Sequence, residues 1–113
     1  MKIEEQLCAA IDSRSVIVMT SAKDPEGATR EVEPHIVYEA STRNILVDFY
    51  QVAGYSERGT LEWKRLKVAD IRKVERLDKT FKIRRAEGYN PDNRERYRRV
   101  ICKVQEDQDS DKR

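Results

Sequence analysis

The stretch Arg43-Asn44-Ile45-Leu46-Val47-Asp48-Phe49-Tyr50-Gln51-Val52-Ala53-Gly54-Tyr55-Ser56-Glu57-Arg58-Gly59-Thr60-Leu61-Glu62-Trp63-Lys64-Arg65-Leu66-Lys67-Val68 decides the fold. It reads as two strands joined by a polar loop. In the first strand Ile45, Val47 and Phe49 share one face at period two, and Leu46, Tyr50 and Val52 share the other with Asp48 among them. Apolar groups on both faces place this strand inside a sheet or barrel wall, away from plain solvent. Residues 54–59, bounded by glycines, supply the turn, and Trp63 to Val68 returns with apolar and basic residues mixed. That mixture of core and cation is the functional clue.

Working outward, 113 residues make one domain by size, set here at residues 1–105, with residues 106–113 a polar tail expected to be disordered. Hydrophobic residues are 38% and charged residues 39%, so the core must be lean and the surface heavily charged. No apolar run approaches the roughly 18 residues of a membrane span, and the amino terminus lacks the layout of a signal peptide. The expectation is a cytoplasmic protein with no membrane partner. Cys8 and Cys102 are too few and too far apart for a disulfide framework or a zinc site. They read as buried reduced thiols, with a single bridge as the alternative.

The net charge of +2 hides an asymmetry. Residues 1–57 hold 5 basic and 10 acidic groups, and residues 58–103 hold 16 and 7. Such a separation points to a cationic face for nucleic acid or another polyanion. The plainer reading is a solvated surface whose basic half is paired with the acidic half.

In the rest of the chain, Ile3, Leu7 and Ile11 at spacings of four predict a short amphipathic helix over residues 2–12. Val16 to Thr20 is β-branched and predicts a strand, closed by a turn at Lys23-Asp24-Pro25-Glu26-Gly27. From Arg30 to Tyr38 the alternation is clean, and Pro34 requires an edge position or a bulge. Another strand is expected from Ile71 to Leu77, although the spacing of Val68, Ile71 and Val74 also suits a helix. After Gly88-Tyr89, Asn90 as N-cap, Pro91 at the first position and Tyr97, Val100, Ile101 and Val104 at helical spacing predict a C-terminal amphipathic helix.

No phosphate-cradling glycine loop, zinc spacing or nucleophile-base pairing is legible, so the chain is not expected to be an enzyme or to hold a cofactor. His35, the sole histidine, reads as structural. Glu31 and Glu33 read as solvated carboxylates. Ser56 has two readings, an anion contact or a turn residue.

These residues together resemble the WYL-domain family, in its small single-domain bacterial form. The resemblance spans most of residues 7–104 and rests on Arg30-Glu31-Val32-Glu33-Pro34-His35, Asn44-Ile45-Leu46-Val47, Phe49 to Ser56, Trp63 to Ile71, and Tyr89-Asn90-Pro91. The family's Trp-Tyr-Leu stretch falls on Asn44-Ile45-Leu46, a frequent His on Gln51 and a frequent Arg on Ala53, while two common arginines fall on Lys64 and Lys67. The resemblance implies an Sm-like small β-barrel acting as a ligand-sensing module in transcription regulation.

The combined expectation is a mainly β (α+β) fold, an Sm-like β-barrel with an N-terminal helix and a C-terminal amphipathic helix. Its function is noncatalytic sensing of an anionic ligand, with single-stranded nucleic acid or a nucleotide leading. Tyr50, Tyr55 and Trp63 supply stacking, Arg30, Lys64, Arg65, Lys67 and Arg72 charge, and Gln51 and Ser56 polar contacts. For Trp63, ordinary core packing is the competing reading. A protein-interaction module, working through self-association or a regulatory protein partner, is the alternative function.

Overall fold

The computed structural model describes residues 2–59 and 61–105. Helix α1 (Ile3–Ser13) is followed by strands β1 (Ser15–Ser21), β2 (Arg30–Glu39), β3 (Ile45–Gly54), β4 (Trp63–Lys67), β5 (Ile71–Thr80) and β6 (Arg99–Lys103). All strand pairings are antiparallel. The sheet runs β4-β3-β2-β1-β5, and β6 pairs with β2 off that path. β3 lies between β2 and β4, as its two apolar faces require: Val47, Phe49 and Gln51 are fully buried, and Leu46 and Asp48 nearly so.

β4 and β5 are the two ends of the sheet, yet only the 3-10 turn Val68–Asp70 joins them. Five flat strands would hold their outer members roughly 19 Å apart, whereas three linking residues reach at most about 14 Å. The sheet must therefore curl. It does not close, because no pairing joins β4 to β5 among the described residues, so the expected closed barrel is corrected to a curled open sheet. α1 covers it with Leu7, Ala10 and Ile11, which join Ile17, Met19, Val32, Ile36, Val37 and Phe49 in one core.

Pro34 shows how the curl is accommodated. β2 pairs with β1 up to Val32 and with β6 from Ile36, so Pro34, which has no N–H to donate, falls in the gap between the two neighbours. On the β3 side the register shifts between Pro34 and Ile36. Pro34 thus has the edge position expected of it on one side and a break in register on the other.

Two expectations fail here. The predicted C-terminal helix is absent: residues 91–98 form turns, and Arg99–Lys103 is strand β6. Asn90 and Asn93 accept backbone N–H groups from Asp92 and Arg96, a helix-like start that is not continued. The run Val100-Ile101-Cys102 is β-branched as well as helically spaced, and the vacant half of the β2 edge offers it a ladder, so tertiary pairing overrides the period. The reduced-thiol reading also fails, because Cys8 and Cys102 form a disulfide that links α1 to β6, with both residues partly exposed. They stand ninety-four positions apart, and they meet because α1 and β6 both pack on β2. Disulfides persist in oxidising surroundings, so the cysteines no longer support a cytoplasmic location. No helix among the described residues is long and apolar enough to cross a membrane. The tail reading for residues 106–113 lies outside the described residues.

Candidate functional site

β4 is a short edge strand paired only with β3, and its register sets the site: Tyr50 opposes Trp63, Phe49 opposes Lys64 and Asp48 opposes Arg65. Beyond β4 the segment from Arg84 to Tyr97 folds back across the sheet. It is held at one end by Arg84, whose guanidinium grips the Glu33 carboxylate at 2.8 and 3.2 Å and lies 4.2 Å over the Tyr50 ring. Trp63 Nε1 donates to the Glu87 carbonyl at 2.8 Å in the middle. At the other end Arg96 and Tyr97 reach Asp48. A cleft of about 580 Å³ remains between this segment and β4, fronted by Trp63, Lys64, Arg65, Tyr89, Arg96 and Asp48.

His35 anchors the floor beneath the aromatic side of this cleft. Its ring is fully buried and lies 4.8 to 5.0 Å from those of Trp63, Phe81 and Tyr89. Nε2 accepts the Arg84 N–H at 3.1 Å, which fixes Nδ1 as the protonated nitrogen donating to the Glu33 carbonyl at 2.9 Å. Burial away from water, with the nearby Arg84 charge adding to it, pushes this imidazole down to about 4. His35 is a neutral structural group.

Asp48 is the hub that the sequence does not reveal. Its side chain is 3% exposed and receives the Tyr38 hydroxyl at 2.8 Å, the Tyr97 hydroxyl at 2.9 Å, and Nε and Nη2 of Arg96 at 2.9 and 2.8 Å. Arg65 Nε stands 3.5 Å away. Desolvation first, and then the Asp48 charge, push the Tyr97 hydroxyl up to about 12 and raise that of Tyr38 as well, so both stay protonated donors. The one available signal was an acidic residue inside a strand apolar on both faces, which must be paired if buried.

A second cavity, of about 400 Å³, lies on the other side of the same residues and is fronted by Arg30, Tyr55, Arg58 and again Trp63, Lys64 and Arg65. Gly54 makes this region possible. At φ 94° it brings the end of β3 against β2, where a Cβ would lie 2.4 Å from the Thr29 carbonyl oxygen. Arg30 is nearly buried here and clamps Asp24 with two bonds of 2.8 Å. Gln51 is fully buried, and its amide accepts from Arg30 and donates to the Ala53 and Tyr55 carbonyls. Lys64 Nζ donates to Ser56 Oγ at 3.0 Å.

The structure brings Trp63, Lys64 and Arg65 to both cavities and Arg30 and Tyr55 to the second, while Tyr50 packs against Trp63, Gln51 bonds Arg30 and Ser56 bonds Lys64 without lining either. It does not bring Lys67 or Arg72 there. Lys67 shares the strand face of Trp63 and Arg65 but sits at the far end of β4, in a separate cavity with Arg43 and Glu4. Arg72 is exposed on β5, across the sheet. Trp63 is no free platform: its ring packs edge-on against His35 and Tyr50 and lies 6.1 Å from Tyr89, leaving it half-buried. The basic half is also partly neutralised by the acidic half, through Lys79 with Glu31, Arg84 with Glu33, Arg65 and Arg96 with Asp48, and Arg99 with Glu39. Among the described residues no group of three His, Cys, Asp or Glu side chains is placed to hold a metal ion.

Comparison of the chain with protein-family models, with curated proteins and with solved structures found no match.

Proposed function

We propose that this chain is a noncatalytic binding domain for an anionic ligand, a nucleotide or a short stretch of single-stranded nucleic acid, held in the groove along β4. One observation carries the reading: Trp63, Lys64 and Arg65 front both cavities, so an aromatic ring and two cations stand together along β4 with a cavity to either side. Rings beside cations suit a ligand that offers bases and phosphates. Lys64 adds to this because its contact is the neutral hydroxyl of Ser56, which leaves its charge available to the ligand. A WYL-like domain, with its Sm-like sheet curled but left open, remains the family reading we favour. It is supported by the curl that the short β4-β5 connection imposes and by the helix that precedes the six strands.

Self-association through a sheet edge is the competing reading, since the outer edge of β5 is ten residues long. Arg72, Lys73, Glu75, Arg76, Asp78 and Lys79 make it a charged edge, the usual defence against such pairing. Fluorescence anisotropy of a short labelled single strand, over a salt series, tests the groove. Binding at low salt should weaken as salt rises, Lys64→Glu should weaken it further, and the neutral Lys64→Gln should lower the salt slope by roughly 0.7. Binding that is absent, or indifferent to salt and to both substitutions, removes the anionic ligand and leaves the edge reading.

A further inference from the structure

The two elements joined by the Cys8–Cys102 bond hold on to the sheet very unequally. α1 buries Leu7, Ala10 and Ile11 in the core, so it stays packed whatever the state of the bond. None of the five residues of β6 is buried: Arg99 and Val100 are exposed, and Ile101, Cys102 and Lys103 are half-buried. Its ladder to β2 is short and shifts register between Val37 and Tyr38, and its ion pair, Arg99 with Glu39, is exposed on the arginine side and contributes little. Short of Val104, which is buried and donates to the His35 carbonyl, the disulfide is the strongest hold on this strand.

That hold extends along the chain to the larger cleft. Arg96 and Tyr97 stand six and five positions before Cys102, and both bond Asp48 as part of the cleft wall. The bond is also within reach of a reagent. Cys8 and Cys102 are half-buried and front a cavity of about 440 Å³ together with Ala9, Asp12, Ile101 and Gln105. Access of this kind separates labile, regulatory disulfides from structural ones.

We propose that Cys8–Cys102 is a redox clasp: opened by a dithiol, it frees β6 and loosens the Arg96–Tyr97 wall of the cleft, while α1 and the rest of the sheet stay folded. A thiolate of the dithiol attacks one sulfur of the bridge, the S–S bond breaks, and the other cysteine leaves as a thiolate that takes a proton from water. The second sulfur of the dithiol, as thiolate, then displaces the first cysteine, so two electrons pass to the protein and the dithiol ends as a disulfide. The reverse exchange, with a disulfide as oxidant, closes the clasp. The clasp stands apart from any ligand, and only its effect on binding rests on the anionic reading above.

The full chain, equilibrated without denaturant in mixtures of reduced and oxidised dithiothreitol, tests this. Alkylation and intact mass count the open bridges, amide exchange reads each segment, and anisotropy reads a short labelled single strand. The bond should open and reclose in the folded protein. In the reduced chain, exchange over residues 94–104 should quicken at least about tenfold, and by a larger factor than in α1 or β3. Strand affinity should fall about tenfold, the scale of one charge-assisted contact. The double variant Cys8→Ser, Cys102→Ser should match the reduced chain at every point of the series. A bond that opens only in denaturant, a reduced chain without a cooperative melt, equal loosening of α1 and β6, or a double variant that exchanges like the oxidised chain overturns the clasp. Loosening of β6 with equal strand binding in both states upholds the clasp and removes the cleft as the strand's seat. The same loosening with no strand binding in either state upholds the clasp and overturns the anionic reading.

Discussion

Two buried carboxylates flank β4, and they are satisfied in different ways. Asp24 gives both oxygens to one arginine, Arg30, which is itself 8% exposed and also bonded to Gln51. Asp48 divides itself between two tyrosines and two arginines whose far ends reach the surface. The first arrangement is closed, with charges that match and no donor facing outward. The second is open, and the same buried acid that steadies the fold aims cations at a cleft. A buried ion pair marks a binding site only when its donors exceed what its acceptor can use.

Substitution should separate the two. Asp24→Ala leaves Arg30 buried without its partner and should cost about 3–5 kcal/mol in urea denaturation, while nucleotide binding by the refolded protein should fall less than in the Asp48 variant. Asp48→Ala lets Arg65 and Arg96 swing into water but orphans two tyrosine hydroxyls, so about 1–3 kcal/mol is expected. It should also weaken nucleotide binding, because Arg65 and Arg96 are no longer held at the cleft. Equal stability losses, or a binding defect in the Asp24 variant alone, would break the distinction.

The disulfide sharpens it further, because the segment carrying Arg96 and Tyr97 runs directly into β6, which Cys102 staples to α1. The Asp24 side has no such tether. Replacing both cysteines by serine should cost about 2–4 kcal/mol, and amide exchange should rise from residue 94 to 104 more than around Arg30. Uniform loosening of the chain would contradict this.

Acid should act on the open side too. His35 accepts the Arg84 N–H, and its folded value of about 4 lies below the ordinary 6.5. The unfolded chain therefore binds the proton that the folded chain refuses, and stability falls as pH drops from about 6.5 through 4, by an amount on the order of 2–3 kcal/mol. A His35→Phe variant should show a shallower loss over that interval in thermal melts. An unchanged slope would remove His35 as its source.

Much of the sheet is legible in the chain, because alternation reports a strand wherever both neighbours and both faces are regular. β2 and β3 are of this kind, and Pro34 announces its bulge. The C-terminal strand is not, since Tyr97, Val100, Ile101 and Val104 satisfy the helical period, and only the vacant β2 edge decides between the two forms. The disulfide is hidden for a related reason: ninety-four residues of sequence say nothing of two elements meeting on one strand. At the site, Trp63, Lys64 and Arg65 were readable as a cluster because they are contiguous. Asp48 and Arg96 were not, because their partnership exists only after the segment from Arg84 to Tyr97 folds back. Lys67 is the opposite case, sharing a strand face with Trp63 without sharing its cavity.

An anion seated in the cleft beside Asp48 would be seen directly by the groups that line it. Trp63 is the only tryptophan, so in a nitrogen-proton correlation spectrum its indole N–H, bonded to the Glu87 carbonyl, is a single resolvable reporter inside that cleft. Titration with adenosine 5′-monophosphate should shift this signal and the Nε–H signals of Arg65 and Arg96 along one saturating curve. Arg72 on β5 and Lys67 in its separate cavity should stay still. Saturating shifts centred on β5 or on Lys67, with the indole unmoved, would contradict it.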